Sequence, residues 1–259
     1  MNDLPANSSQ RGVGLTVRGL RKTFPGGEVL RGIDFDVAPG EVFVIMGPSG
    51  SGKSVLLRHL IGLMKPDAGE IRVGGQPVGP PESASTYRLA MVFQSGALLK
   101  SLTVGENLGL YLREHRLKTP AEIVRIVAEK LAVVGLKGQE DKLPSELSGG
   151  MRKRVSIARA LIIEPQLILY DEPTSELDPQ SAALIAEEIV NLQQRIGVTS
   201  VIVSHDREFV FGIADRIAVI HEGRILAVGT PAEIRANPNP VLQAFLNVDF
   251  KFHPLKSNP

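Results

Sequence analysis

Apolar and polar residues exchange places along this chain in three registers, and each register predicts a different element. From Leu15 to Val37 they alternate in short runs broken by Pro25-Gly26-Gly27, the pattern of an antiparallel layer of short strands. Val42-Phe-Val-Ile-Met46 is apolar without interruption, as a strand covered on both faces would be. A glycine-rich turn follows, and Val55 to Leu63 then reads as a helix ending near Gly62. Ala121 to Val134 places Ile123, Ile126, Val127, Leu131 and Val134 on one helical stripe, with Pro120 near a helix start that tolerates proline.

A second set of apolar strands comes late, at Leu167–Tyr170, Ser200–Ser204 and Arg216–Ile220, and a helical segment, Ala182 to Arg195, separates the first two. Strands alternating with helices imply a mostly parallel sheet with right-handed crossovers. Arg216–Ile220 and Arg224–Val228, joined by Glu222-Gly223, predict a hairpin. Between the two sets, from about Leu98 to Ala160, the pattern is helical and poor in strands. The expected fold is therefore α/β: a mostly parallel sheet with an N-terminal antiparallel layer and an inserted helical subdomain at about 98–160. One domain over 13–240 is expected, between a polar tail at 1–12 and a C-terminal extension at 241–259 that begins with a helix, Val241 to Asn247.

Composition narrows the setting. Of 259 residues, 43% are hydrophobic and 22% charged, as in an ordinary globular protein. The net charge of +1 offers no global basic field, so no nucleic-acid partner is expected. The absence of cysteine excludes disulfides and thiolate metal sites, and it suits a reducing compartment. No apolar run approaches the about 18 residues of a membrane span, and 1–12 lacks the apolar core of a signal peptide. If this protein serves transport, the membrane spans are expected in another chain. Arg152-Lys153-Arg154 reads as a solvated basic turn of a helix.

Gly47-Pro48-Ser49-Gly50-Ser51-Gly52-Lys53-Ser54 fits G-x-x-x-x-G-K-[ST], placed between a predicted strand and a predicted helix. Glycines let successive backbone N–H groups wrap a phosphate, and the helix that follows adds its positive end. Lys53 is the candidate to reach the β- and γ-oxygens, and Ser54 to place a hydroxyl on Mg²⁺. Leu167-Ile-Leu-Tyr-Asp171-Glu172 is an apolar strand that ends in two acids. Asp171 is a candidate for the Mg²⁺ shell, through water, and Glu172 for polarising a water that attacks the γ-phosphate. Leu147-Ser148-Gly149-Gly150-Met151, before a helix at Arg152–Leu161, makes either a second anion site or an ordinary turn, and local reasoning leaves both open.

Together, the phosphate loop, Gln94, Leu147–Met151, Leu167–Glu172, Ser175–Asp178 and His205 resemble the ABC ATPase family in identity, order and spacing, from about Leu15 to Asn237. The resemblance implies a P-loop NTPase core, ATP and Mg²⁺ as cofactors, and a head-to-tail dimer of two copies. In that dimer Ser148, Gly149 and Gly150 of one subunit face the γ-phosphate held on the phosphate loop of the other. It implies further that Gln94 links Mg²⁺ and the attacking water to a membrane permease, and that His205 contacts the γ-phosphate. Asp178 would lie on the loop that crosses the interface, and Phe24 would stack on adenine. Three positions depart from the family pattern: Met151 stands for glutamine, Glu176 for glycine or alanine, and Phe24 for the frequent tyrosine.

Phe93-Gln94-Ser-Gly-Ala-Leu-Leu99, Leu112-Arg-Glu-His115 and Ser148-Gly-Gly-Met-Arg-Lys-Arg154 look like the ATPases of bacterial Mce-type, Mla-like lipid transporters. That likeness implies a permease and an Mce-domain lipid-binding protein as partners, with this chain on the cytoplasmic face of the inner membrane. The alternatives are the ATPase of a small-solute importer or a soluble ABC protein acting on ribosomes or DNA. One phosphate loop and a compact helical insert speak against the soluble reading.

Overall fold

The computed structural model describes residues 12–79 and 87–247. The tail read at 1–12, apart from Gly12, and everything after Asn247, including Asp249-Phe-Lys-Phe-His253, lie outside the described residues.

Among the described residues ten strands form two sheets. The first is antiparallel, with β1 (Leu15–Phe24) between β2 (Gly27–Val37) and β4 (Ala68–Val73), and β5 (Gln76–Pro77) at its edge. The Pro25-Gly26 turn thus joins two long strands with bulges, where the alternation had suggested several short ones. The second sheet runs in the order β10 (Arg224–Gly229), β9 (Arg216–His221), β3 (Val42–Met46), β8 (Thr199–Ser204), β7 (Leu167–Asp171) and β6 (Leu89–Val92). All its pairings are parallel except the predicted β9–β10 hairpin.

The uninterrupted apolar stretch of β3 has a structural reason: every side chain in it is buried, alternately on the two faces. Val42, Val44 and Met46 point to one core with Ile168, Tyr170 and Ile202, while Phe43 and Ile45 point to another with Leu169 and Val203. The second core also receives α1 (Lys53–Leu60) and the antiparallel layer, and the rings of Phe35 and Phe43 stack 5.2 Å apart across the two sheets.

Between β6 and β7 the chain is helical, with α2 (Val104–Glu114), α3 (Pro120–Val133) and α4 (Gly149–Ala160) packed on one another and on the first core. Thr103 and Thr119 open α2 and α3 with capping boxes to Glu106 and Glu122, and Pro120 occupies the first turn. α5 (Pro179–Ile196) and α6 (Arg207–Ile213) flank the sheet, and α7 (Pro231–Ala236) and α8 (Pro240–Leu246) follow β10. Among the described residues no helix is long and apolar enough to cross a membrane.

Candidate active site

The register of the parallel sheet gathers the predicted residues at one edge. Met46 pairs with Ser204, so Gly47 and His205 leave the sheet side by side. Asp171 pairs with Val203 and Val92 with Tyr170, which brings Asp171, Glu172 and the Phe93–Gln94 segment to the same carboxyl ends. Carboxyl ends of parallel strands are where open α/β sheets bind ligands.

The phosphate loop spans the first of these ends. Gly50 (φ 80°) and Gly52 (φ 104°) are left-handed, and a Cβ on Gly52 would lie 2.9 Å from Leu30 Cδ2. A Cβ on Gly47 would meet the Ile220 carbonyl at 2.2 Å, so no other residue fits there. The β9–β10 turn braces the loop: Gly223 N donates to Ser51 O at 3.2 Å. Pro48 is partly buried, and Ser49 and Gly50 are exposed at the loop's rim. Ser51 Oγ is buried without a hydrogen-bond partner among the described residues. The first amides of α1 have no acceptor within their own helix. An orphaned hydroxyl beside free amides fits the oxygens of a phosphate.

Lys53 is 8% exposed, and its ammonium donates to Gly47 O at 2.7 Å and Pro48 O at 2.9 Å. Burial pulls its pKa down, while Glu172 and Asp171 hold it up. Ser54 stands exposed in the first turn of α1. Burial, and behind it the charge of Glu172, pushes the Asp171 carboxyl up, and Lys153 and Lys53 draw it back. Among the described residues no three acids or imidazoles converge on one point. A hard cation here would therefore depend on phosphate oxygens beside Ser54, Asp171 and Gln94, a donor set that suits Mg²⁺.

Glu172 is left-handed (φ 45°), with its amide bonded to Val203 O at 2.9 Å, and this turns its carboxylate onto the end of β8. Oε1 lies 2.9 Å from His205 Nδ1, and Oε2 accepts from His205 N at 3.3 Å. The Glu172 side chain is 13% exposed and that of His205 60%, so the pair presents its imidazole to the outside. Gln94 is also exposed, its backbone held by Lys153 Nζ at 2.5 Å.

The family model described as ABC transporter matches residues 30–175, more than half of the chain. The chain belongs to the ABC transporter ATPases. The Probable ribonucleotide transport ATP-binding protein mkl of Mycobacterium leprae is 39% identical over 240 residues, covering 91% of this chain and 69% of that protein. Protein TRIGALACTOSYLDIACYLGLYCEROL 3, chloroplastic, of Arabidopsis thaliana is 38% identical over 247 residues, covering 88% and 72%. Among solved structures, the ATP-binding cassette MJ0796, a dimer in a post-hydrolysis state bound to ADP and Pi, superposes with a TM-score of 0.74. It is 29% identical, with 84% of this chain and 98% of that one covered. This ABC transporter ATPase is accordingly an ATP-binding subunit and an ATP hydrolase.

The remaining predicted residues lie apart from this cluster. Ser148 caps α4, its Oγ accepting from Met151 N at 3.2 Å. A Cβ on Gly150 would come within 2.9 Å of Ser181 Oγ, and one on Gly149 within 3.3 Å of Leu177, so both glycines let α4 approach the start of α5. Asp178 caps α5, accepting from Ser181 N at 3.0 Å and Ser181 Oγ at 2.6 Å. Phe24 ends β1, half-buried, with the Lys22 ammonium 5.8 Å from its ring centre. Glu176 is exposed and left-handed (φ 64°), a conformation that accounts for glycine at this place in the family pattern.

One sequence expectation is corrected here. Arg152-Lys153-Arg154 is not a solvated face: Lys153 is 4% exposed and points at Gln94. Three adjacent basic residues hide the helical period, but Lys153, Ser156 and Arg159 share one stripe of α4, and that spacing was the available signal. The helix itself also begins earlier than read, at Gly149 in place of Arg152.

Proposed function

We propose that this ATPase hydrolyses MgATP with Glu172 as general base and couples the reaction to lipid transport across the cell envelope. The observation that carries the chemical part is the juxtaposition of Lys53, Asp171, Glu172 and His205 at one sheet edge. Phosphate-loop amides and Lys53 would hold the β- and γ-phosphates, and Ser54, Gln94 and Asp171 would hold Mg²⁺, Asp171 through water. Bound Mg²⁺ supplies charge neutralisation on the phosphates. Glu172 orients and deprotonates the attacking water. His205, steadied by Glu172, places its outer ring nitrogen toward the γ-phosphate. Phe24 stacks on the adenine. Ser148, Gly149 and Gly150 of a second copy close the site head to tail, with Asp178 at the interface.

The described part of the chain is one ATPase domain, placed at 13–240 with its helical subdomain at about 98–160 and an extension from 241. It sits on the cytoplasmic face of the inner membrane, held by a permease. Phe93 and Leu99, 37% and 47% exposed, flank the Gln94 segment where that partner is expected. A cavity of about 840 Å³ between the end of α1, β6, α2 and α3 has a mixed lining, with Leu60 and Ile126 beside the charged Arg125, Glu129 and Lys130. The lipid reading rests on the likeness of 93–99 and 148–154 to Mce-type ATPases and on a relative that carries the name of a galactolipid. A second reading, import of a small solute, is favoured by a relative of Caulobacter vibrioides named as the sulfate/thiosulfate import ATP-binding protein CysA.

Purification of the tagged chain from native membranes in mild detergent separates them. Recovery of a multispanning subunit with an Mce-domain protein and bound phospholipid supports lipid transport. A permease with a soluble solute-binding protein in its place refutes it.

A further inference from the structure

Helix α4 carries more chemistry than its Ser-Gly-Gly start. Lys153, Ser156 and Arg159 stand at i, i+3 and i+6, on about one third of the helix circumference and about 4.5 Å apart along its axis. All three are turned onto the segment that leaves β6. Lys153 Nζ donates to Gln94 O at 2.5 Å and Ser156 Oγ to Gly96 O at 2.9 Å. Arg159 donates to Ala97 O at 2.6 Å and to Gly96 O at 3.0 Å. Gly96 (φ 76°) and Ala97 (φ 48°) are both left-handed, and for Ala97, which carries a Cβ, that shape persists only where surrounding contacts impose it.

Burial marks this as a built contact. Lys153 is 4% exposed and Ser156 1%, and an ammonium is kept out of water only where partners compensate it. Those partners are the Gln94 carbonyl and the charges of Glu176, Asp171 and Glu172. The Gln94 side chain itself makes no hydrogen bond among the described residues, so the backbone position is what sets the space the side chain can reach. That backbone is fixed upstream by β6 pairing and downstream by the α4 donors.

We propose that Lys153 is a positioning residue for ATP hydrolysis: it carries the backbone of Gln94 on α4, with Ser156 and Arg159 as further rungs. The Gln94 side chain and the Ser148–Gly150 end of the same helix then reach their nucleotide positions as one body. This inference rests on the role given to Gln94 under the proposed function. It makes one helix the carrier of groups for two nucleotides, since Gln94 serves the site of its own chain and Ser148 that of the partner copy.

The test measures MgATP turnover, fluorescent-nucleotide affinity and Tm for the full chain and for Lys153→Met, Lys153→Arg, Gln94→Ala and the Lys153→Met/Gln94→Ala double variant. Lys153→Met is expected to lower kcat about tenfold or more while nucleotide Kd stays within about twofold. Lys153→Arg, which keeps charge and donors, should recover kcat to within about threefold of wild type, and the double variant should be no slower than Gln94→Ala alone. Wild-type turnover by Lys153→Met overturns the proposal, and so does a parallel loss of affinity and Tm that arginine does not rescue. A double variant slowed by the full product of the two single effects also overturns it, because Lys153 would then act on the carboxylates. Unchanged kcat in Gln94→Ala removes the role of Gln94 itself, whereas a slow Gln94→Ala beside a fast Lys153→Met removes only the role of Lys153. Should Lys153→Met not fold, Arg159→Met on the half-buried outer rung reads the same link: a severalfold lower kcat supports it, and an unchanged one sinks it.

Discussion

Glu172→Gln changes one charge and almost no shape, which makes it the sharpest probe of the site. In the native protein both carboxylate oxygens are engaged by His205, one by Nδ1 at 2.9 Å and one by its backbone N at 3.3 Å. Glutamine keeps a carbonyl acceptor for one of these and turns an NH₂ toward the other. The loss is at most one charge-assisted hydrogen bond, about 1.5–3 kcal/mol before discounting, and the 60% exposure of the His205 side chain brings it toward the low end. Folding should therefore survive. Nucleotide binding should survive too, because one negative charge fewer faces the triphosphate, although Lys53 loses one of the two carboxylates that hold it charged.

Turnover should not survive. A positioned general base is worth about 10²–10⁴ in rate, or roughly 2.7–5.4 kcal/mol of barrier. The assay is steady-state phosphate release with MgATP, beside a fluorescent-nucleotide titration and size exclusion with and without MgATP. The expected result is a kcat at least about 100-fold lower, ATP affinity unchanged or tighter, and a dimer that persists in MgATP. A kcat within about tenfold of wild type, with folding and binding intact, would refute the base assignment and leave Glu172 as a residue that orients His205.

Other perturbations separate binding from chemistry and from stability. Lys53→Ala removes the ammonium that bridges Gly47 O and Pro48 O, and it should weaken ATP binding by about tenfold or more; an unchanged titration counts against the phosphate-loop role. Glu176→Gly relieves a left-handed non-glycine residue, worth about 1 kcal/mol, and should raise Tm by about 2–4 °C; a lower Tm by differential scanning fluorimetry would contradict the strain. Acid should destabilise the fold. Donors from Arg18, Lys22, Ser181 and Thr230 hold Asp36, Asp67, Asp178 and Glu233 below their ordinary values. The stability they contribute is present above the ordinary carboxylate pKa of about 4 and is lost as pH falls through the depressed folded values. Asp171 and Glu188, both pushed up by burial, work in the opposite sense but are two groups against these four. A Tm that holds or rises between pH 5 and about 3 would refute this balance.

How much of this was legible in the sequence depended on whether one face or two decided a residue's place. β3, β7 and β8 were readable because burial on both faces gives each an unbroken apolar run, Val42–Met46, Leu167–Tyr170 and Val201–Val203. β6 was not, since its four residues, Leu89–Val92, are too short for any period to show. β4 was hidden by exposed polar residues on its outer face, and α2 by Asn107, which reads as surface. Asn107 is in fact 2% exposed and ties Leu99, Leu102 and Thr103 to the helix through its amide. The phosphate loop and the Asp171–Glu172 strand end were legible as chemistry. The contact between Glu172 and His205 was not, because it follows from the β7–β8 register and a left-handed Glu172, neither of which the sequence displays.

The site residues also differ in how firmly they are placed relative to one another, and that difference bears on control. Gly47, Glu172 and His205 follow adjacent, mutually paired strands, so the sheet register fixes their spacing. Ser148 belongs instead to α4, and Gln94, two residues past β6 in that same sheet, is tied both to the sheet and to Lys153 of α4. A shift of the helical segment would carry Ser148 with it and pull on the Gln94 backbone through Lys153, and leave the distance from Glu172 to Lys53 as it is. With Gln94 in the proposed role, such a shift would alter hydrolysis more than nucleotide binding. A partner seated against α2 and α3 would act on the rate of hydrolysis without touching the residues that perform it.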